Sequence, residues 1–146
     1  MNSTIQEFIE GKRIALAGAS RSGKKFGNAA YKELKARKYE VYLVHPEAQE
    51  IEGEPCYPNL ASVPANVDGV LVCLPPSQSP TVLRQAAELG IRNVWLQQGA
   101  DSPELLNLGR ELNLNLVSGK CILMYAPPVR SFHRFHRGFV KLIGQL

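Results

Sequence analysis

The chain has 146 residues, 45% of them hydrophobic and 21% charged, with a formal net charge of +4, as is typical of one soluble globular domain. No apolar stretch approaches the roughly 20 residues that a membrane-spanning helix needs, and the polar first ten residues predict neither a secretory signal nor a transit peptide. Three widely spaced cysteines, Cys56, Cys73 and Cys121, argue against a disulfide framework and a structural zinc site. We therefore expect a cytoplasmic protein without a metal.

The hydrophobic pattern alternates between strands and helices along most of the chain. We predict helices over residues 3–10, 26–38, 79–89 and 102–112, and strands over residues 13–17, 40–44, 68–74, 93–96 and 114–117. The polar, proline-punctuated residues 47–67 predict no long element, and no hairpin signature separates the strands. This pattern indicates a three-layer, Rossmann-like α/β domain with a mostly parallel five-stranded sheet. Its ligand crevice is expected beyond the carboxyl ends of the strands.

The first predicted strand ends in a glycine-studded, cationic turn, GASRSGKK at residues 18–25, and a helical pattern follows directly. Gly18 lets the backbone turn sharply, while the small Ala19 and Ser20 leave room for a ligand to approach the main chain. Peptide N–H groups of such a turn and the positive end of the next helix dipole suit a phosphate. Added positive charge comes from Arg21, Lys24 and Lys25.

Two familiar phosphate loops match this turn incompletely. Residues 18–24 fit the first seven positions of the nucleoside-triphosphate loop, but Lys25 stands where Ser or Thr would ligate magnesium. A dinucleotide fold would have a second glycine after Gly18, and an acid rather than His45 closing the second strand. Because Glu47 lies nearby, an NAD(H)-binding regulator or small oxidoreductase that uses the same glycine turn stays open as the alternative.

Several short motifs also occur in a fixed order along the chain. They are Gly18-Ala19-Ser20, Lys25-Phe26-Gly27-Asn28, YEVYLVHP at residues 39–46, Tyr57-Pro58-Asn59-Leu60, Leu74-Pro75-Pro76, VWLQQG at residues 94–99 and Cys121-Ile122. Together they resemble the small stand-alone CoA-binding proteins, which are similar to the N-terminal domain of the succinyl-CoA synthetase alpha subunit. The resemblance covers about residues 5–125 and implies a Rossmann-like fold that binds CoA.

The resemblance also implies roles for individual segments. Ser20, Arg21 and Ser22 would line the pyrophosphate; His45-Pro46 would lie beside the ribose and its 3′-phosphate; Leu74-Pro75-Pro76 would pack against adenine; Leu96-Gln97-Gln98 would border the pantetheine arm. The full expected set is Gly18, Ala19, Ser20, Arg21, Ser22, Lys24, Phe26, His45, Pro46, Leu74, Pro75, Pro76, Leu96, Gln97, Gln98 and Gly99.

The thiol end of this predicted site departs from the family pattern. Gly119-Lys120 precedes Cys121, where the family often has an acidic or amide residue followed by arginine. We expect Cys121 to be buried and inert, because no sequence feature stabilises its thiolate. A mixed disulfide between Cys121 and the CoA thiol is the alternative.

The C-terminal segment differs in character from the domain before it. No carboxylate follows Glu111, and residues 129–146 place aromatic and aliphatic side chains on one helical face and basic ones on another. We predict a domain at residues 1–128 and an amphipathic basic helix at residues 129–146, packed on that domain or on a second subunit of a homo-oligomer. A solvated basic face explains the charge better than nucleic-acid binding does.

The sequence shows no motif for covalent or acid–base catalysis. It contains no nucleophile elbow, no Ser-His-Asp order and no defined carboxylate pair. The phospho-histidine half of a synthetase reaction would need a second domain, for which we expect no room in this chain. We therefore predict no catalytic residues and a non-catalytic protein that binds or senses CoA or an acyl-CoA, with CoA as its cofactor.

Overall fold

The apolar segments form a seven-stranded sheet in a computed structural model that describes residues 3–127. The strands are β1 (Arg13–Ala17), β2 (Glu40–Val44), β3 (Glu50–Ile51), β4 (Glu54–Tyr57), β5 (Gly69–Val72), β6 (Asn93–Gln97) and β7 (Asn115–Lys120). Their spatial order is β3-β4-β2-β1-β5-β6-β7, and within these residues only the β3–β4 pair is antiparallel. The predicted C-terminal helix at residues 129–146 lies outside the described residues.

All four helices predicted within the described residues are present. They are α1 (Ser3–Glu10), α2 (Phe26–Ala36), α3 (Ser79–Glu88) and α4 (Pro103–Glu111). Ser102 caps α4 by accepting a hydrogen bond from the N–H of Leu105 at 3.2 Å, and Pro103 occupies the first helical position. Single 3₁₀ turns form at Leu60–Ser62, Pro76–Gln78 and Ile122–Met124.

The α1 and α2 helices cover one face of the sheet, and α3 and α4 cover the other. Successive side chains on a strand point to opposite faces, so Ile14, Leu16 and Trp95 pack with the first helix pair. Ala15 and Leu96 pack with the second. Burial on both faces explains the near-continuous apolar strands. The three-layer, mostly parallel Rossmann-like class predicted from the sequence is confirmed.

The expectations of five strands and of no hairpin are wrong, because β3 and β4 form a short antiparallel hairpin. Glu52 and Gly53 make its turn, with φ angles of 57° and 75°, as a two-residue loop that follows the sheet twist requires. Strands of two and four residues are too short for a periodic pattern, and Pro55 lowers the strand propensity of β4. The hairpin extends the sheet beyond β2.

Tyr39, after α2, holds α1 onto the core through a hydrogen bond from its hydroxyl to the carbonyl of Ile9. Burial raises the pKa of Tyr39 from 10.0 to about 12. Because the fold favours the neutral phenol, its stabilising contribution is complete below pH 10 and is lost as the pH rises towards 12. We expect the free energy of unfolding in urea to fall over this range, and Tyr39→Phe to flatten the fall.

At neutral pH the same variant should cost about 1 kcal/mol, because it leaves the Ile9 carbonyl without its donor. Tyr57→Phe, on the partly exposed end of β4, is the control and should keep the wild-type pH dependence. An undiminished fall in the Tyr39→Phe variant would contradict the assignment.

Candidate functional site

The sheet has its topological switch point between β1 and β5. From β1 the chain crosses to β2 on one side, and later returns to β5 on the other side of β1. The loops after β1 and β5 therefore lead to opposite faces, towards α2 and α3, and leave a crevice at the carboxyl ends of the strands. A cleft of about 580 Å³ lies there.

Glycine is required twice where the turn after β1 meets its neighbours. Gly18 has a φ of +127°, and a Cβ there would lie 2.5 Å from the carbonyl oxygen of Cys73 at the end of β5. A Cβ on Gly27, in the first turn of α2, would lie 2.6 Å from the carbonyl oxygen of Gly18. The turn is thus pressed between β5 and α2, which fixes its backbone.

The side-chain amide of Asn28 holds this turn through hydrogen bonds to its backbone. Its side chain is 1% exposed; Oδ1 accepts from the N–H of Ser20 at 2.9 Å, and Nδ2 donates to the Ser20 carbonyl at 2.9 Å. The same Nδ2 donates to Oε2 of Glu52 in the hairpin turn at 2.9 Å. The Ser20 N–H is therefore satisfied by the protein and is not among the peptide groups of the turn that can bind a phosphate.

The start of α2 is the part of the turn that suits an anion. Lys25 occupies the N-cap position with an extended backbone and makes no side-chain capping hydrogen bond. The first N–H groups of a helix lack intrahelical partners and carry the positive end of its dipole. Lys25 also borders this cleft and a second one described below. Its positive charge therefore lies next to the uncapped N-terminus of α2.

The first cleft brings together residues of the phosphate-binding turn and residues predicted to contact the ribose and adenine. Seven of the expected residues border it: Gly18, Ala19, Ser20, His45, Pro46, Leu74 and Pro75. The sequence analysis named Lys25 and Glu47 only as charges near the turn, outside the expected set. It missed Ala17, Val44, Pro58, Cys73 and four residues of the segment that leads into and forms α3, namely Gln78, Thr81, Val82 and Gln85. The last four have the spacing of one helical face. Most of this face is polar, and a polar helix face carries no pattern that indicates a ligand.

A second cleft of about 450 Å³ continues from the first across the ends of β5, β6 and β7. Four further expected residues border it: Phe26, Gln97, Gln98 and Gly99. Phe26 is 42% exposed and so presents its ring to this cleft rather than to the core. The two clefts share Lys25, Cys73, Leu74 and Pro75, so they form one elongated groove.

Five expected residues border neither cleft. Arg21, Ser22 and Lys24 lie exposed on the outer part of the turn, where Arg21 pairs with Glu47 at 3.8 Å. Pro76 lines a separate groove between α3 and α4. Leu96 is fully buried against the α3–α4 layer, because strand alternation points it to the opposite face from Trp95. The structure therefore removes Leu96 from the surface that a ligand can touch.

His45 has a fixed orientation at the end of β2. Its Nδ1 accepts hydrogen bonds from the backbone N–H groups of Glu47 at 3.0 Å and Ala48 at 2.9 Å. In the neutral ring the proton is therefore on Nε2, which makes His45 a hydrogen-bond donor on its free side. A donor at this position suits a phosphate or ribose oxygen.

Two cysteines border the groove, Cys73 and Cys121, and both are half-buried. Burial, with a smaller contribution from Cys121, raises the pKa of Cys73 to about 12. Cys121 is half-buried and borders the second cleft, so the expectation of a buried Cys121 is wrong. Cys121 directly follows β7, the strand at one edge of the sheet, and lies where the end of this strand meets the groove.

The described residues contain no cluster of three or more His, Cys, Asp or Glu side chains that could hold a metal ion. No helix within residues 3–127 is both long enough and apolar enough to cross a membrane.

Helices on both faces of the sheet and a groove at its switch point define a Rossmann-like domain. The chain belongs to the CoA binding domain family, whose model matches residues 12–127. It is similar to a conserved hypothetical protein of known structure from Pyrococcus furiosus, with 35% identity, a TM-score of 0.71, and coverage of 76% of this chain and 96% of that one. A hypothetical protein from Pyrococcus horikoshii is also similar, with 29% identity, a TM-score of 0.76, and coverage of 84% and 87%.

The similar curated proteins are much longer than this chain. ADP-forming acetate–CoA ligase I of Archaeoglobus fulgidus is 28% identical over 123 residues, which are 77% of this chain and 18% of that enzyme. Across four such relatives, one of them a ligase subunit, the matched part is between 15% and 28% of the relative. The similarity is thus to one part of those enzymes.

Proposed function

We propose that this protein binds CoA or an acyl-CoA in an extended conformation along the groove at the strand ends, as a non-catalytic binding or sensing protein. The observation that carries the proposal is the continuity of the two clefts past Lys25 and the uncapped start of α2. A ligand with a central diphosphate and two long arms fits that arrangement. Membership of the CoA binding domain family supports the same ligand.

The diphosphate would lie against the start of α2, between the two clefts. Lys25 supplies a positive charge, and the first turn of α2 supplies the positive end of the helix dipole. Gly18 and Gly27 let the turn pack closely between β5 and α2, which fixes its backbone beside this position. Charge-assisted hydrogen bonds of this kind are stronger than those between neutral groups.

The adenosine would occupy the first cleft. Its polar face offers Gln78, Thr81 and Gln85, and the Oε1 atom of Gln85 already accepts from the N–H of Leu60 at 3.2 Å. This hydrogen bond fixes the orientation of the Gln85 amide, so its NH₂ group can donate to a ring nitrogen of adenine. The Nε2–H group of His45 would donate to the 3′-phosphate or the ribose.

The orientation of His45 supports binding rather than catalysis. A general base needs a free lone pair within reach of the ligand, whereas both backbone hydrogen bonds here occupy Nδ1. The other groups that border the groove include glycines, prolines and neutral amides. A cytoplasmic location, a homodimer and a separate unit at residues 129–146 remain predictions made from the sequence.

One observation favours NAD(H) as a second candidate. Glu47 borders the first cleft just after β2, near the position where dinucleotide folds place an acid for the ribose hydroxyls. The same carboxylate would repel the 3′-phosphate of CoA unless Arg21, at 3.8 Å, compensates its charge. Calorimetric titration with CoA, acetyl-CoA, NAD and ATP separates the candidates, and micromolar NAD binding without CoA binding would contradict the proposal.

The variant Ser20→Asp tests where the diphosphate lies. A carboxylate at this position of the turn would face the diphosphate, and opposed like charges cost several kcal/mol. We expect CoA to bind about 100-fold more weakly or not at all in calorimetry, which corresponds to roughly 2.7 kcal/mol.

The matched control is Ser77→Asp, which places the same charge on an exposed residue outside both clefts. It should bind CoA as the wild type does. Unchanged affinity in the Ser20→Asp variant would show that the diphosphate lies elsewhere.

A further inference from the structure

The far end of the second cleft contains a buried amide with spare hydrogen-bonding capacity. Gln97 is 5% exposed, and its Oε1 accepts from the N–H of Ile122 at 3.1 Å. Its Nε2 group has no acceptor among residues 3–127. Buried polar groups are normally paired, so an unpaired amide bordering a cleft points to an acceptor supplied by a ligand.

Cys121 is fixed beside this amide by hydrogen bonds to the residues on either side of it. Nε1 of Trp95 donates to the carbonyl of Lys120 at 3.0 Å, and Gln97 holds the N–H of Ile122. Trp95 and Gln97 both belong to β6, the strand next to β7. Cys121 therefore borders the cleft on a backbone that is held in place on both sides.

The length of the groove matches the pantetheine arm. Three strand spacings separate the end of β1 from the end of β7, which is roughly 14 Å at about 4.8 Å each. The arm from diphosphate to thiol is about as long as four extended peptide residues, also roughly 14 Å. A CoA whose diphosphate lies at α2 brings its sulfur to Cys121, and the arm passes the amide of Gln97 with its carbonyl groups.

We propose that Cys121 captures CoA from its oxidised form, CoA disulfide, as a protein–CoA mixed disulfide; this inference rests on the CoA binding proposed above. The Cys121 sulfur attacks one sulfur of the bound disulfide, a new S–S bond forms, and the original S–S bond breaks. The second CoA leaves as a thiol, taking the proton that Cys121 gives up. One disulfide is consumed and one is formed, so no other oxidant is needed.

Cys73 does not resolve the adduct, although it borders the same cleft. Only a thiolate attacks a disulfide, and burial raises the pKa of Cys73 to about 12. Its thiol is therefore held in the protonated form near neutral pH. The mixed disulfide at Cys121 consequently persists until an external thiol reduces it.

The test is to incubate the whole chain with CoA disulfide and measure its intact mass without reductant. We expect one adduct, with the mass of CoA less two hydrogens, that dithiothreitol reverses. It should form about tenfold faster than the adduct from glutathione disulfide, since binding raises the effective concentration of the reacting sulfur. Excess dethio-CoA, which has no thiol, should slow it.

Two variants complete the experiment. Cys121→Ser should form no adduct, whereas Cys56→Ser, which removes a half-buried thiol outside both clefts, should bind CoA and react as the wild type does. Wild-type protein that binds CoA but forms no adduct, or forms it equally fast with both disulfides, would overturn the capture proposal alone. A chain that binds no CoA in calorimetry would overturn the proposed function as well, so the two failures are distinguishable.

Discussion

Replacing Gly18 by alanine is expected to lower the free energy of unfolding by about 3–5 kcal/mol. Two costs combine: a φ of +127° is strained for any residue with a Cβ, and that Cβ would lie 2.5 Å from the Cys73 carbonyl oxygen. Neither backbone can move without disturbing the β1–β5 pairing. Urea unfolding followed by circular dichroism measures the loss, and calorimetry should show that the remaining folded protein binds CoA weakly.

Gly90→Ala is the matched control for this variant. Gly90 also has a positive φ, +77°, but an added Cβ would meet no atom within 4 Å. Its cost should be that of the backbone conformation alone, about 1–2 kcal/mol, with CoA binding unchanged. If the two variants lose the same stability, the close approach of the turn to β5 is not a determinant of the fold.

The overall architecture was predictable because the central strands are buried on both faces. Apolar runs such as residues 69–72 exceed what a surface strand carries, and the intervening helices show clear helical spacing. The β3–β4 hairpin was missed because two paired residues give no pattern to detect. Glu52 at positive φ is also an uncommon turn residue, so the hairpin had no sequence signature.

The site was predictable to the level of loops but not of side chains. Topology alone places strand ends together, which is why the turn at residues 18–20 and His45 were found. A strand that is apolar throughout does not reveal which residues face which layer, so Leu96 was assigned to the site together with Gln97. The polar face of α3 that includes Thr81 was missed, because polar side chains on a helix usually indicate solvent.

Asn28 has a structural role that no local sequence pattern reveals. Its side chain connects Ser20 with Glu52, which lies 24 residues after Asn28 in the chain. Asn28→Ala is expected to lower the free energy of unfolding by about 3–4 kcal/mol, because it removes three hydrogen bonds at a site that is 1% exposed. CoA affinity should fall with it, as the turn loses its support. Asn59→Ala, which removes an exposed capping contact to the N–H of Ser62, should cost only about 1 kcal/mol.

The variant Asn28→Asp separates the polarity of this network from its packing. The new side chain still accepts from the Ser20 N–H, but it turns a carboxylate oxygen towards the Ser20 carbonyl and the carboxylate of Glu52, whose side chain is 16% exposed. These neighbours raise the pKa of the introduced carboxyl group, so the variant should be most stable at acidic pH and lose stability as the pH rises above about 4.

Adding Glu52→Gln replaces one carboxylate by an amide donor and should recover part of the loss at neutral pH. A double variant no more stable than Asn28→Asp alone would show that the contact between the two turns does not support the site, and the turn would then be held by the bonds to Ser20 alone.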